Sequence, residues 1–350
     1  MEAESYNLIT HANFAKGFRG GERQTQLLIE RLSLLGYKQK LIVRKNSELT
    51  KRCKDLKNVE IIEISKPYIL HLNKIKDASI IHAHETKALQ FAYFANLLKK
   101  IPYIVTRRVD NPLKTNFLNT LMYSSAKTSV ALSGIIEKEI LRVAPNAKTR
   151  IIPSAFSDIE VNKNRAHEIK KRFDKKFLIG HVGALDDKHK GQSIIIDIAK
   201  KTEASHPEIH FLLVGGGCDE ERFKDIAKGL TNITFEGFVN NVNDYIKCFD
   251  MFVFPSRNEG LGSTLLDVMK IGIPIIASRV GGIVDIIKDD ENGLLFDINN
   301  PDELEKLILA LYEDHKKAES LVLNALKSVE KYSAQNMTEA YIKLYEQKAK

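Results

Sequence analysis

Short apolar, β-favouring runs alternate with amphipathic stretches along this whole 350-residue chain, and the alternation starts afresh near its middle. A strand buried on both faces reads as a continuous apolar run, so the pattern predicts a parallel sheet covered by helices on both sides. In the first half the strands fall at Asn7–Thr10, Lys40–Arg44, Val59–Ile64, Ile80–His84, Tyr103–Thr106 and Ser129–Leu132. An amphipathic helix, Glu22–Leu35, follows the first of them and ends at Gly36. The second half restarts at Phe177–Val182 and continues through His210–Val214, Ile233–Phe235, Met251–Phe254 and Pro274–Ala277. The length exceeds the usual size of one hydrophobic core, so two α/β domains are expected, with the change near Ile151 to Glu160. From about Pro301 the chain reads as helical to Lys350.

Charge divides the two halves. Residues 1–160 hold 26 Lys and Arg against 15 Asp and Glu, while residues 161–350 hold 27 against 30. A basic first half suits an anionic partner: a membrane surface, a phosphorylated glycolipid or a nucleic acid. It suits equally a merely solvated basic face. No recognisable nucleic-acid module is present, so that partner is set aside. No run approaches the roughly 18–20 apolar residues that span a bilayer, and the N-terminus lacks a signal-peptide pattern. Cys53, Cys218 and Cys248 stand far apart without metal spacing, as reduced bystanders in a cytoplasmic protein would.

The densest chemical signal is Ser256-Arg257-Asn258-Glu259-Gly260-Leu261-Gly262-Ser263-Thr264-Leu265-Leu266-Asp267, followed by Pro274, Ser278 and Gly281-Gly282. A buried strand, Met251–Phe254, precedes it, and a helix from Ser263 to Lys270 follows, ended by Gly272. Glu259 therefore sits on a strand-to-helix loop, and Asp267 lies one turn inside the helix. Open α/β sheets bind ligands at the carboxyl ends of their strands. The backbone N–H groups of Leu261, Gly262, Ser263 and Thr264 form a helix start suited to an anion.

This stretch resembles the E-x7-E signature of retaining GT-B glycosyltransferases of family 4, with Glu259 as the first acid and Asp267 in place of the second. Asp285 likewise stands where that family often has Glu. The resemblance covers most of the chain and is strongest from Phe177 to Phe296. It implies two Rossmann-like domains facing across a cleft. Residues 1–155 would bind the acceptor and residues 156–330 the nucleotide-sugar. Residues 331–350 would form a helix crossing back to the first domain, through Tyr341 to Tyr345. By the same resemblance Glu259 holds hydroxyls of the transferred sugar, Asp267 holds the ribose, and Lys190, of a Lys-Gly pair, neutralises the departing diphosphate. The family's arginine before that lysine is replaced by Ala184, so Lys188, Arg257 or Arg107 must substitute, or Lys190 and helix N-termini suffice.

Other segments fit the same picture less specifically. Gly20-Gly21, between the first strand and first helix, lets a phosphate or sugar approach the backbone closely. Gly183, Gly215 and Gly237 each follow a strand and resemble loops that line the nucleotide. His82 and His84 alternate at a strand end and face one side. His84 is assigned the sugar contact by resemblance, and His82 a structural hydrogen bond. No third ligand stands near the pair in sequence, and the family uses no metal, so neither metal nor cofactor is expected. Arg107 and Arg108 are acceptor candidates, because guanidinium grips anions bidentately.

The resemblance thus implies a retaining, metal-independent transferase that moves a sugar from a nucleotide donor, UDP-linked by preference, to a hydroxyl of a glycan acceptor. A cell-envelope glycolipid such as lipopolysaccharide or lipooligosaccharide core is the leading acceptor. The expected location is cytoplasmic, with peripheral contact to the anionic inner membrane face. The rivals are a sugar-nucleotide epimerase of the same architecture and a non-catalytic sugar-nucleotide-binding protein.

Overall fold

The computed structural model of the chain describes residues 8–157 and 160–346. Asn7, expected to open the first strand, lies outside these residues. The chain divides into two compact units: one runs to Ala155 and resumes at Tyr332, and the other is Phe156–Lys331.

The first unit holds a seven-stranded parallel sheet. Its strands are β1 (Ile9–Asn13), β2 (Gln39–Arg44), β3 (Val59–Ile64), β4 (Ile80–Ala83), β5 (Tyr103–Arg107), β6 (Thr128–Ala131) and β7 (Thr149–Ile151). They lie in the order β3-β2-β1-β4-β5-β6-β7, so the winding direction reverses between β1 and β4. Parallel neighbours need crossover connections, and the intervening helices supply them. The first helix, Gly20–Leu34, buries Leu28 and Leu32 against Ile9, Ile80, Ile104 and Val130.

The last helix, Ala334–Glu346, belongs to this first unit and packs on the first helix. Met337, Tyr341, Leu344 and Tyr345 enter the same core. Its hydroxyls also reach the sheet, since Tyr345 Oη bonds His82 Nδ1 at 2.7 Å and Tyr341 Oη bonds Thr106 Oγ1 at 2.9 Å.

The second unit holds a six-stranded parallel sheet. Its strands are β8 (Phe177–Val182), β9 (Ile209–Val214), β10 (Ile233–Gly237), β11 (Met251–Phe254), β12 (Ile275–Ser278) and β13 (Leu294–Phe296). The order β10-β9-β8-β11-β12-β13 reverses between β8 and β11. Its core gathers Ile179, Phe211, Leu213, Val253 and Phe296 with apolar residues of the surrounding helices. Each unit is thus a doubly wound, Rossmann-like domain. The strands β7 and β13 add edges that the sequence reading does not contain. Each is only three residues long, too short to show a period.

Among the described residues no helix is long and apolar enough to cross a membrane. Cys53 and Cys248 are buried and Cys218 is exposed, and all three are free thiols.

Candidate functional site

In a doubly wound sheet, the loops leaving the two strands at the reversal point diverge and open a crevice at their carboxyl ends. In the second unit these loops follow β8 and β11. They are Gly183–Gly191 and Pro255–Gly262, the two segments the sequence singles out.

The chain locks the two loops together. The N–H groups of Arg257 and Asn258 both donate to the His189 carbonyl, at 2.8 and 3.3 Å. Lys190 Nζ and Glu259 Oε2 form an ion pair, with 23% and 18% of the side chains exposed. The Lys190 ammonium also stands 5.3 Å above the Phe254 ring. Behind the pair, buried His181 on β8 donates from Nδ1 to the Val253 carbonyl of β11 at 3.0 Å, tying the strands across the reversal. Burial lowers the His181 pKa to about 4, so its ring is neutral near pH 7.

Glu259 is also held from the far side. Gly282 N–H donates to the Glu259 carbonyl at 2.8 Å. Gly281 has φ +53°, and a Cβ there would stand 2.1 Å from the Glu259 carbonyl oxygen. Only glycine permits that backbone and that approach, which gives the Gly281-Gly282 pair its physical meaning. A similar packing joins the three loop glycines. Gly215 N–H donates to Gly237 at 2.8 Å, and a Cβ on Gly215 would stand 2.0 Å from the Gly183 carbonyl.

The helix Ser263–Ile271 starts at Gly262, and no side chain caps it. The helix Gln192–Thr202 also starts at a glycine, Gly191, but there Asp187 Oδ1 caps the first turn by accepting the Ser193 N–H at 2.8 Å. The Gly262 helix start directs N–H groups and the positive end of a macrodipole outward, as an anion requires. Leu261 is buried, so it can serve a ligand only through its backbone. Asp267 is 9% exposed, and its Oδ1 accepts the Ser157 N–H at 2.7 Å and the Ser157 hydroxyl at 2.8 Å. That carboxylate therefore fixes a chain segment of its own unit, a duty the sequence does not announce.

At the position of Ala184 the side chain supplies no cation, and its carbonyl accepts from Gln192 Nε2 at 2.7 Å. Of the named substitutes, Lys188 and Arg257 lie in this loop pair, and Arg257 Nε donates to the Asp187 carbonyl at 3.2 Å, beside Gly191. Arg107 is committed elsewhere. It is buried, and its Nη2 donates to the Asn111 carbonyl, bracing the loop after β5.

The first unit has its own cluster at the reversal between β1 and β4. His11 on β1 lies directly opposite His82 on β4, and the chain just past β4 adds His84. Their potential ligand atoms all lie within 4.8 Å of one another. The expectation that no third histidine joins His82 and His84 is thus corrected. His11 is remote in sequence, and only the pairing of β1 with β4 brings it in.

Hydrogen-bond accounting fixes the state of these rings. Gln39 Nε2 donates to the Ile29 carbonyl at 3.1 Å, which turns Gln39 Oε1 toward His11 Nε2, 3.1 Å away. An amide oxygen only accepts, so His11 Nε2 carries the proton. Burial lowers the His11 pKa to about 4, so the ring is neutral and Nδ1 is an acceptor. It takes the proton of His84 Nε2 at 3.0 Å. Burial, with His82, His11 and Arg108 beside it, likewise holds His84 well below 6.5, leaving His84 Nδ1 as a lone-pair acceptor. His82 is held at both nitrogens, by Tyr345 and by Thr106 Oγ1 at 2.7 Å. A tetrahedral zinc site needs free lone pairs converging on one point. Here the nitrogens of His11 and His82 are engaged within the network, and a guanidinium, Arg108, stands at His84 Nδ1.

Residues 162–328 match the family model "Glycosyl transferases group 1". The O-antigen biosynthesis glycosyltransferase WclY of Escherichia coli is 30% identical over 166 residues, 46% of this chain and 45% of that protein. The chain spans about half the length of the curated relatives it matches. The structure of Anabaena HepE in complex with UDP and glucose superimposes with a TM-score of 0.84 at 17% identity, covering 97% of this chain and 99% of that one. A glycosyltransferase from Rickettsia africae gives 0.85 at 17%, covering 98% of both. The chain therefore has the paired Rossmann-like domains of the GT-B fold, and its second unit carries the likeness to glycosyl transferases group 1.

Proposed function

We propose that this protein is a retaining, metal-independent glycosyltransferase that moves a sugar from a UDP-sugar to a hydroxyl of a cell-envelope glycolipid. The observation that carries this reading is the Lys190–Glu259 pair, set at the strand reversal of a unit that matches glycosyl transferases group 1. A carboxylate that accepts from sugar hydroxyls beside an ammonium that neutralises a leaving diphosphate is the pairing such a transfer needs. The uncapped helix start at Gly262 adds stabilisation for the charge that develops on the diphosphate.

In this reading Glu259 holds hydroxyls of the transferred sugar, and Asp267 meets the ribose, a contact it shares with Ser157. His84, with Nδ1 as its acceptor, takes a hydrogen bond from a sugar hydroxyl. The UDP preference draws support from HepE, whose structure holds UDP and glucose. The glycolipid acceptor draws support from WclY, named for O-antigen biosynthesis, and from the basic excess of residues 1–160. That excess also favours a peripheral position at an anionic membrane face.

The test is nucleotide release from UDP-, GDP- and ADP-sugars in the presence of EDTA, with and without glycolipid extract. Release from one UDP-sugar that depends on the extract supports the proposal. An isomerised nucleotide-sugar without release indicates an epimerase. Binding without either reaction indicates a non-catalytic binder.

A further inference from the structure

The helix Lys163–Lys171 breaks two local rules. Lys163 is its first residue, where the positive end of the macrodipole disfavours a cation. Lys163, His167 and Lys170 recur at spacings of four and three, so they share one face. That stripe carries no acid, although an acid at such a spacing is what would support the helix. Ala166 and Ile169 supply the buried face, while Lys163 and His167 are exposed.

The stripe borders a cleft. The helix Val242–Cys248 packs beside it and brings Lys247 in its last turn. Buried Asp244 ties the two helices, accepting the Asn162 N–H at 2.7 Å and pairing with Arg165 at 2.9 Å. Cys248 Sγ adds a bond to the Ala166 carbonyl at 2.8 Å. The cleft has a volume of about 250 Å³, with Ala166, Cys248 and Phe249 buried at its base. Asp250 also lines it, but this carboxylate is spent: Oδ2 accepts the Leu178 N–H at 2.7 Å and pairs with the Lys170 ammonium. Among the described residues, the side chains of Lys163, His167 and Lys247 have no partner that would balance them.

We propose that this cleft binds a phosphate group between Lys163, His167 and Lys247, at a site separate from the crevice of Lys190 and Glu259. Asp250 immediately precedes β11 and Glu259 lies beyond its carboxyl end, so the length of the strand, roughly 13 Å, stands between the two sites. A phosphate dianion matches two ammonium groups, where a single carboxylate matches one. Ammonium groups donate in several directions without a fixed fork, which suits tetrahedral oxygens. The His167 ring adds an N–H donor. The volume falls just below the roughly 300 Å³ at which pockets for larger organic ligands begin, so the ligand is free phosphate or the phosphate monoester of a very small alcohol. With the anion seated, the cation in the first turn becomes favourable. The site does not depend on the proposed transferase reaction.

The ring C–H signals of His167, assigned with His167→Gln, report binding to the full chain at constant ionic strength. Inorganic phosphate and glycerol 3-phosphate should each shift them to saturation, and citrate should not. Tighter binding of glycerol 3-phosphate assigns the site to a monoester, and equal binding assigns it to the free ion. Lys163→Gln and Lys247→Gln change exposed side chains and so keep the fold; each should weaken binding at least ~5-fold. Lys190→Gln should leave it unchanged. Without phosphate, Lys163→Gln should melt no lower than wild type, because it removes a cation from a helix start. Lower melting would make this lysine structural and overturn the site. Shifts that do not saturate, that citrate reproduces, that survive both lysine variants or that vanish in Lys190→Gln would overturn it as well.

Discussion

Asp267 and Ser157 are joined twice, by the Ser157 N–H at 2.7 Å and the Ser157 hydroxyl at 2.8 Å, both donating to Asp267 Oδ1. The helix Ser263–Ile271 is thereby tied to the chain near the start of its unit. Asp267→Ala removes an acceptor that serves two donors, a loss of about 1–3 kcal/mol. Calorimetric melting should show a fall of several degrees for the transition of this unit. Asp267→Asn keeps the accepting oxygen and should recover most of the loss. An alanine variant that melts with wild type would show that the double bond contributes nothing.

The Lys190–Glu259 pair makes a different prediction. Each side chain keeps about a fifth of its surface exposed, so breaking the pair lets the remaining charge turn to water. Glu259→Ala should therefore fold. Under the proposed function its turnover should fall at least ~100-fold, as when a well-placed polar contact to a transition state is lost. Initial rates with a saturating UDP-sugar decide this. Near-normal turnover would remove Glu259 from the chemistry.

What the sequence discloses and what it hides divide along physical lines. Strands such as Ile80–Ala83 and Met251–Phe254 are legible because burial on both faces leaves an uninterrupted apolar run. Glu259 and Lys190 are legible because the glycines, proline and helix start around them form a dense local pattern. His11 is not. It stands 71 residues before His82 in an ordinary-looking strand, and only the neighbouring of β1 and β4 at the reversal exposes it. Arg107 and Arg108 read alike in sequence and each buries an Nε without a partner, yet Arg107 Nη2 grips the Asn111 carbonyl while Arg108 Nη2 reaches His84 Nδ1. Adjacent residues on a strand face opposite ways, and which way leads to a ligand is a property of the packed sheet. Ser157 as the partner of Asp267 lies 110 residues away and has no sequence signal at all.

The histidine relay yields a spectroscopic prediction. With Gln39 fixed by the Ile29 carbonyl, His11 and His84 should both be neutral with the proton on Nε2. Nitrogen-15 shifts of the two rings near pH 7 report this directly. Gln39→Leu removes the acceptor that fixes His11, so a mixture of tautomers should appear at both rings. A wild-type His84 with its proton on Nδ1 would break the chain of donors at its second link.

Stability should fall on mild acidification, well before the carboxylates titrate. His11 and His181 lie one in each unit, both fully buried, and both have pKa values lowered from 6.5 to about 4 by burial. Above pH 6.5 these rings are neutral whether the chain is folded or not, and they add no pH dependence. Between pH 6.5 and 4 the unfolded chain takes up protons that the folded rings refuse, so the balance shifts toward unfolding. At pH 5 this amounts to about 2 kcal/mol for each ring. His82 and His84, also held well below 6.5, act in the same direction in the first unit. Urea midpoints at pH 7.5 and pH 5 should therefore differ, and by more for the first unit than for the second. In the second unit His210, also lowered to about 4 by burial, acts in the same direction, so His181→Gln should remove roughly half of that unit's dependence while leaving that of the first. Midpoints that do not move between these pH values would mean that the buried rings can take up protons in place, and the neutral relay through His11 to Arg108 would fail with them.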